Sequence, residues 1–270
     1  ELGRPVVMGV LNVTPDSFSD GGRHYAPAAA LEHAARLAED GAAIVDVGGE
    51  STRPGAAAVD TAEELRRVIP VVERLAGTLA VPVSVDTRNP EVMRQALAAG
   101  ASMVNDVSAL SAPGALEAVA AGSAAVCLMH MQGEPATMQA APRYGDAVAE
   151  VREFLRRRVE TCQAAGIARD RLVIDPGFGF GKTLEHNLAL LAGLSVIASD
   201  GLPVLAGLSR KRMIGVLTGR GEGERLAGSL AAAVVAAING ARIIRAHDVR
   251  ETVDALAVLA AASALRDNRN

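Results

Sequence analysis

Tryptophan is absent from this chain, and aromatic residues make up only 2% of it. A core must therefore be built from Ala, Val, Leu and Ile, the side chains that fill close helix–sheet interfaces. Cysteine is nearly absent too: Cys127 and Cys162 are the two, too few for a disulfide framework. Each reads as a small buried hydrophobe, and the pair suits a reducing compartment. No positive excess exists, since the net charge is −4 and the pI about 5.8. That excludes a nucleic-acid surface, so any anion must be held by a local cationic group. Uncharged apolar runs of about 18 residues or more, the length a membrane span needs, are missing as well. The most apolar stretch, LAGSLAAAVVAAINGA, carries Ser, Asn and Gly and reads as a buried helix. No signal peptide is recognisable, and a cytoplasmic location without membrane contact is expected. The chain opens on Glu1 without Met, so a few native residues are expected before it.

What is present is a rhythm. Half of the 270 residues are hydrophobic, enough for one large domain or two small ones. Short β-branched runs alternate with longer Ala- and Leu-rich stretches. Strands are expected at 5–11, 43–48, 82–86, 102–106, 124–130, 171–175, 203–208 and 241–247, with helices between them and after the last. Gly41 is placed to end the first helix. Thr61 and Glu64 have capping-box spacing at the start of the second. Asn89 followed by Pro90 caps the third. The strands are almost continuously apolar, as when both faces are covered. Eight such units predict a (β/α)₈ TIM barrel over residues 1–270 as a single domain, with a frayed polar tail at ALRDNRN. A doubly wound sheet is the rival.

Nearly every expected strand ends in a polar group: Asn12 and the loop LNVTPDSFSDGG, Asp46 before GGESTRPG, Asp86, Asn105 with Asp106, His130 with Gln132, Asp175 before PGFGFGK, Ser209 with Arg210 and Lys211, and Arg245 with His247. A barrel brings all these ends to one face. Asp46, Asp86, Asn105, Asp106 and Asp175 suit a planar ring with adjacent N–H donors, guanidine-like or pterin-like. Arg53, Arg210, Lys211, Arg245 and His247 form a cationic group for phosphate or carboxylate. Asn12, Asp16 and Asp20 offer oxygens without nearby Cys or His, a pattern for Mg²⁺. The glycines of GFGFGK allow close backbone approach to a ligand, but the spacing is not that of a P-loop. There is no GxSxG, and Ser209 has no His beside it in sequence.

MGVLNVTPDSFSDGG, DVGGESTRPG, SVDT, NDVS, MHMQGEPATMQ, DPGFGFGK, GLSRK and RAHDV, in this order, resemble the dihydropteroate synthase family. The resemblance implies a barrel that joins p-aminobenzoate to a pterin methyl diphosphate in folate synthesis, releasing diphosphate, and that is a sulfonamide target. It implies a pterin pocket of Asp86, Asn105, Asp175 and Lys211 lined by Met129 and Phe180. It assigns diphosphate and Mg²⁺ to Asn12, Arg53, Arg245 and His247 with Thr52 nearby. The p-aminobenzoate site would use Phe18, Arg53, Pro54 and Ser209, and Asp16 and Asp20 would ride on a mobile first loop. A homodimer is implied, with the Ala-rich last helices as its surface. Two alternatives share the ring pocket: a methyltetrahydrofolate-binding methyltransferase domain working with a cobalamin partner, and a non-catalytic pterin-binding homologue. The first would not need Arg53, Arg245 and His247, and the second would usually lose loop residues.

Overall fold

The structure, a computed structural model, describes residues 4–14, 27–50, 59–135 and 137–267. Strands β1 (Val6–Asn12), β2 (Ile44–Gly48), β3 (Val83–Asp86), β4 (Met103–Asp106), β5 (Ala125–Met129), β6 (Leu172–Asp175), β7 (Val204–Gly207) and β8 (Ala241–Ala246) pair in parallel in chain order, and β8 closes on β1. The result is the closed eight-stranded barrel that the sequence rhythm predicts.

Successive side chains of a strand point to opposite faces, and here that alternation splits the apolar residues into two cores. Val7, Leu11, Val45, Val47, Val85, Val104, Leu128, Ile174, Ala206 and Ile244 face outward and pack under the helices. Met8, Met103, Cys127, Val173, Leu205 and Ile243 pack against one another inside the barrel. One step further along the inner face, two residues on, stand Asn105, Met129, Asp175, Gly207 and Arg245. The polar strand ends are thus the layer directly above an apolar plug.

The helices that cover the barrel are α1 (Pro27–Glu39), α2 (Thr61–Thr78), α3 (Pro90–Ala98), a short α4 (Ala115–Ala120), α5 (Ala147–Ala164), α6 (Leu184–Ala192) with α7 (Leu194–Ala198), α8 (Arg212–Thr218) with α9 (Leu226–Ile238), and α10 (Val249–Asp267). Gly41 ends α1 at φ 97°, with the Ala42 N–H returning to the Leu37 carbonyl at 3.0 Å. Asn89 caps α3 through the Glu91 N–H. At α2 the structure differs from the expected box. Asp60, not Thr61, is the cap, accepting from the Glu63 N–H. Glu64 is then turned inward, 2% exposed, and accepts from the Thr87 hydroxyl at 2.6 Å. Asp satisfies an orphan helix N–H better than Thr, which moves the register by one. The last helix continues to Asp267, into the stretch expected as a tail. Among the described residues no helix is long and apolar enough to cross a membrane.

Candidate active site

The C-terminal ends of the strands form an open cleft lined by Val10, Asp86, Asn105, Val107, Met129, Asp175, Gly177, Phe178, Phe180, Gly207, Ser209, Lys211, Arg245 and His247. Asp86, Asn105, Met129, Asp175, Phe180, Ser209, Lys211, Arg245 and His247 are therefore brought together, as their shared position after β3 to β8 requires. Asn12 stands at the end of β1, paired with Gly48. Asp16, Phe18, Asp20, Thr52, Arg53 and Pro54 lie outside the described residues.

The two expected chemical sides of the cup are not separate. Arg245 sits between carboxylates, donating from Nε to Asp46 at 2.7 Å and from Nη2 to Asp86 at 2.8 Å. Asp46 is fully buried below the cleft. Burial pushes Asp86 up to about 7, with Arg245 pulling the other way and Asp46 adding to the rise. Asp175 is likewise raised to about 6 by burial, against the Gly177 N–H and Lys211. Its Oδ1 accepts that N–H at 2.7 Å, which leaves Oδ2 for the cleft.

Asp106 and Arg210, expected in the cup, are occupied elsewhere. Asp106 accepts from the Ser108 and Leu110 N–H groups, both at 2.7 Å, and fixes the turn after β4. Arg210 pairs with Asp248. Ser209 and His247 do meet, Nδ1 lying 3.0 Å from the hydroxyl, a pairing that their separation in sequence conceals. The same hydroxyl accepts the His247 backbone N–H at 3.2 Å.

The GFGFGK loop serves the architecture as well as any ligand. Gly177 has φ 68° and Gly181 φ 61°. A Cβ on either would run into a carbonyl oxygen, of His130 and Gln132 respectively. These glycines answer to the chain's own backbone first. Lys182 locks the loop: its Nζ, 3% exposed at the residue level, donates to the carbonyls of Gly177 and Phe180 at 2.9 Å and of His130 at 3.3 Å. It also meets His130 Nδ1 at 3.0 Å. Burial and the Lys182 charge push His130 down to about 3, so its ring is neutral and Nδ1 accepts. Burial pushes Lys182 itself down to about 7. The locked loop sets Phe180, over whose ring the Lys211 ammonium lies 4.2 Å from the centroid. Gln132 bonds the Arg143 N–H and carbonyl, both at 2.9 Å, and supports the loop after β5. Val10, Val107 and Phe178 are lining residues that sequence reasoning did not single out. Only their period-two spacing from neighbouring site residues signals them.

Residues 8–247 match the family described as pterin binding enzyme. The chain belongs to the pterin-binding enzyme family. Within that family, it is 55% identical over 269 residues to the dihydropteroate synthase of Escherichia coli K12, covering 100% of this chain and 95% of that one. A structure of the Xanthomonas albilineans dihydropteroate synthase with 4-aminobenzoic acid superposes with a TM-score of 0.92 at 59% identity, covering 97% of this chain and 94% of the other. A second, of the same organism's enzyme in complex with 7,8-dihydropteroate, gives 0.89 at 55% identity, covering 98% and 95%. These relatives cover 97–100% of this chain.

Proposed function

We propose that the chain is a dihydropteroate synthase, a transferase that condenses p-aminobenzoate with 6-hydroxymethyl-7,8-dihydropterin diphosphate to give 7,8-dihydropteroate and diphosphate. The observation that carries this is the composition of one cleft. Two carboxylates and an amide (Asp86, Asp175 and Asn105) share it with two cations and an imidazole (Lys211, Arg245 and His247). A flat heterocycle with adjacent N–H donors needs the former, and its diphosphate needs the latter.

Asp175 and Asn105 would hold the ring edge, with Lys211 and Phe180 on its border and Met129 below. Arg245 and His247 would meet the departing oxygens. As the carbon–oxygen bond breaks, its electron pair goes to diphosphate and positive charge spreads into the ring. Asp86 and Asp175, already placed in a dry site, stabilise that charge without reorganising. The arylamine nitrogen, unprotonated at neutral pH, then forms the carbon–nitrogen bond and releases a proton. Ser209 would hold p-aminobenzoate with Phe18, Arg53 and Pro54. The loops bearing Asp16, Asp20 and Thr52 would close over the cation and exclude water.

Among the described residues, no group of three or more His, Cys, Asp or Glu side chains could hold a metal. Asn12 offers one amide oxygen, and a Cβ placed on Gly48 would sit 3.8 Å from it. One hard oxygen fits Mg²⁺, which keeps waters and shares phosphate oxygens with the substrate. Asn12 would hold it, and the bound ion would neutralise charge on the leaving group.

The enzyme is proposed to act in the cytoplasm, supported by its two free, buried cysteines. It is proposed to be a homodimer, supported by exposed apolar side chains on its last helices: Val216, Leu217, Ile238, Val258 and Leu265 are each more than half exposed. Sulfonamides would compete with p-aminobenzoate. The deciding experiment is diphosphate release from the pterin diphosphate with Mg²⁺, with and without p-aminobenzoate. Mg²⁺-dependent release with dihydropteroate formed is the expected result. Pterin binding without release would replace the enzyme by a binding protein.

A further inference from the structure

Asp46 lines no part of the cleft, yet it holds two residues that do. It is 0% exposed on β2. Its Oδ2 accepts from Asn105 Nδ2, on β4, at 3.0 Å and from Arg245 Nε, on β8, at 2.7 Å. One oxygen thus receives donors from two other strands. An Asn side chain has an acceptor edge and a donor edge that look alike in shape, and only its hydrogen bonds decide which way they face. With Asp46 on one side, the flipped amide would set oxygen against oxygen. Asn105 is therefore fixed with its nitrogen toward Asp46 and its oxygen away from it. Arg245 has its Nε occupied by Asp46 and its Nη2 by Asp86, so the planar fork is held at one angle over the cleft floor.

We infer that Asp46 is a positioning residue: through Asn105 it sets the hydrogen-bond pattern offered to the heterocycle, and through Arg245 it sets the fork offered to the anion. This rests on the pterin diphosphate reading of the cleft. It assigns Asp46 no contact with substrate. The other carboxylate oxygen, Oδ1, is buried without a partner, as is Oγ of Ser84, the residue opposite Asp46 in the β2–β3 register. Partnerless Oδ1 separates shape from charge in the test. An Asn at this position can keep its oxygen where Oδ2 stands, accepting both donors, and put its nitrogen where Oδ1 has nothing to lose.

The test compares wild type, Asp46→Asn and Asp46→Ala. Calorimetry measures binding of the bare hydroxymethyl pterin, and steady-state assays measure KM for p-aminobenzoate and kcat, with melting temperature as the folding control. For Asp46→Ala we expect pterin binding weaker by tenfold or more with KM for p-aminobenzoate within about threefold. For Asp46→Asn we expect pterin binding within about threefold of wild type. A folded Asp46→Ala that binds pterin like wild type overturns the inference. So does a folded Asp46→Asn that loses binding tenfold, which also decides the matter should Asp46→Ala not fold. Wild-type protein that neither binds pterin nor releases diphosphate would instead overturn the function reading.

Discussion

Asp175→Asn is the substitution whose outcome the site geometry fixes most closely. The wild-type Oδ1 accepts the Gly177 N–H at 2.7 Å, and that bond holds the loop after β6. An Asn must keep its oxygen there, because its amino group would otherwise face the Gly177 donor. The amino group is then forced into the place of Oδ2, toward the ring N–H groups that the proposal puts in the cleft. A charge-assisted hydrogen bond, roughly 1.5–3 kcal/mol, is lost, and two donors are left facing each other at about 1–3 kcal/mol more. Taken together, pterin affinity should fall by about 2.5–6 kcal/mol, roughly 60- to 20,000-fold at about 1.4 kcal/mol per tenfold. Stability should move the other way. Burial raises the Asp175 carboxyl to about 6, so at pH 8 the native state carries an ionised group it disfavours. The neutral amide removes that cost and keeps the Gly177 bond, so the melting temperature at pH 8 should equal or exceed wild type. Calorimetric titration with the hydroxymethyl pterin and a thermal melt read the two effects separately. Binding within threefold of wild type would refute the assigned role, and a large drop in melting temperature would refute the account of the loop.

The same loop gives a backbone prediction: Gly177→Ala should cost about 3 kcal/mol or more in urea unfolding, since φ is 68° and the new Cβ meets the His130 carbonyl oxygen. Gly219→Ala, at φ 69° with open space around it, should cost only about 1 kcal/mol, and equal costs would deny the steric cause. Lys182→Met should lose about 2–4 kcal/mol of stability, because buried carbonyls of Gly177, Phe180 and His130 lose their donor while relief of the buried charge returns part of it; an unchanged urea midpoint would contradict this. Asp86 and Asp175, raised to about 7 and about 6, hold protons in the native state where the unfolded chain has lost them. Their contribution to stability is therefore fully present below about pH 4 and is lost as pH rises through about 6 and 7. A ring that needs ionised carboxylates should show the opposite trend, so the rise in melting temperature caused by pterin should grow from pH 5 to pH 8, and a constant rise would count against both assignments.

How much of this was legible in the sequence depends on the range of the interaction. Strand positions could be read because apolar runs are local, and the polar residues closing them could be read as one face because a barrel aligns all strand ends. Asn105 follows Met103, and Arg245 follows Ile243, each by one pleat. Side-chain periodicity therefore carried most of the cleft without contact information. What it could not carry was partnership. Arg245 and Asp46 are 199 positions apart, and composition made one a cation for an anion and the other an acceptor for a ring. In the structure each is the other's closest charge. Asp106 has the residue type and the strand end that site residues have, but a local turn takes both its oxygens. Arg158, on the arginine-rich helix α5, reaches the Ala109 and Leu110 carbonyls at 2.8 and 3.0 Å. Those two residues sit at φ 51° and 56°, conformations unfavourable for side chains with a Cβ.

Asp106 and Arg158 thus clamp one strained turn from both sides, the carboxylate on its N–H groups and the guanidinium on its carbonyls. The turn begins at Val107, which lines the cleft, directly after Asn105. Lys182 does the equivalent for the turn that carries Phe180, and Asp46 for the floor beneath Asn105 and Arg245. Asn105, Arg245 and the turns that carry Val107 and Phe180 are thus held by charged residues that do not themselves line the cleft. Such anchors are costly to bury and are justified only where geometry matters more than stability. Their concentration around one end of this barrel is a mark of the functional face that does not depend on the identity of any residue lining it.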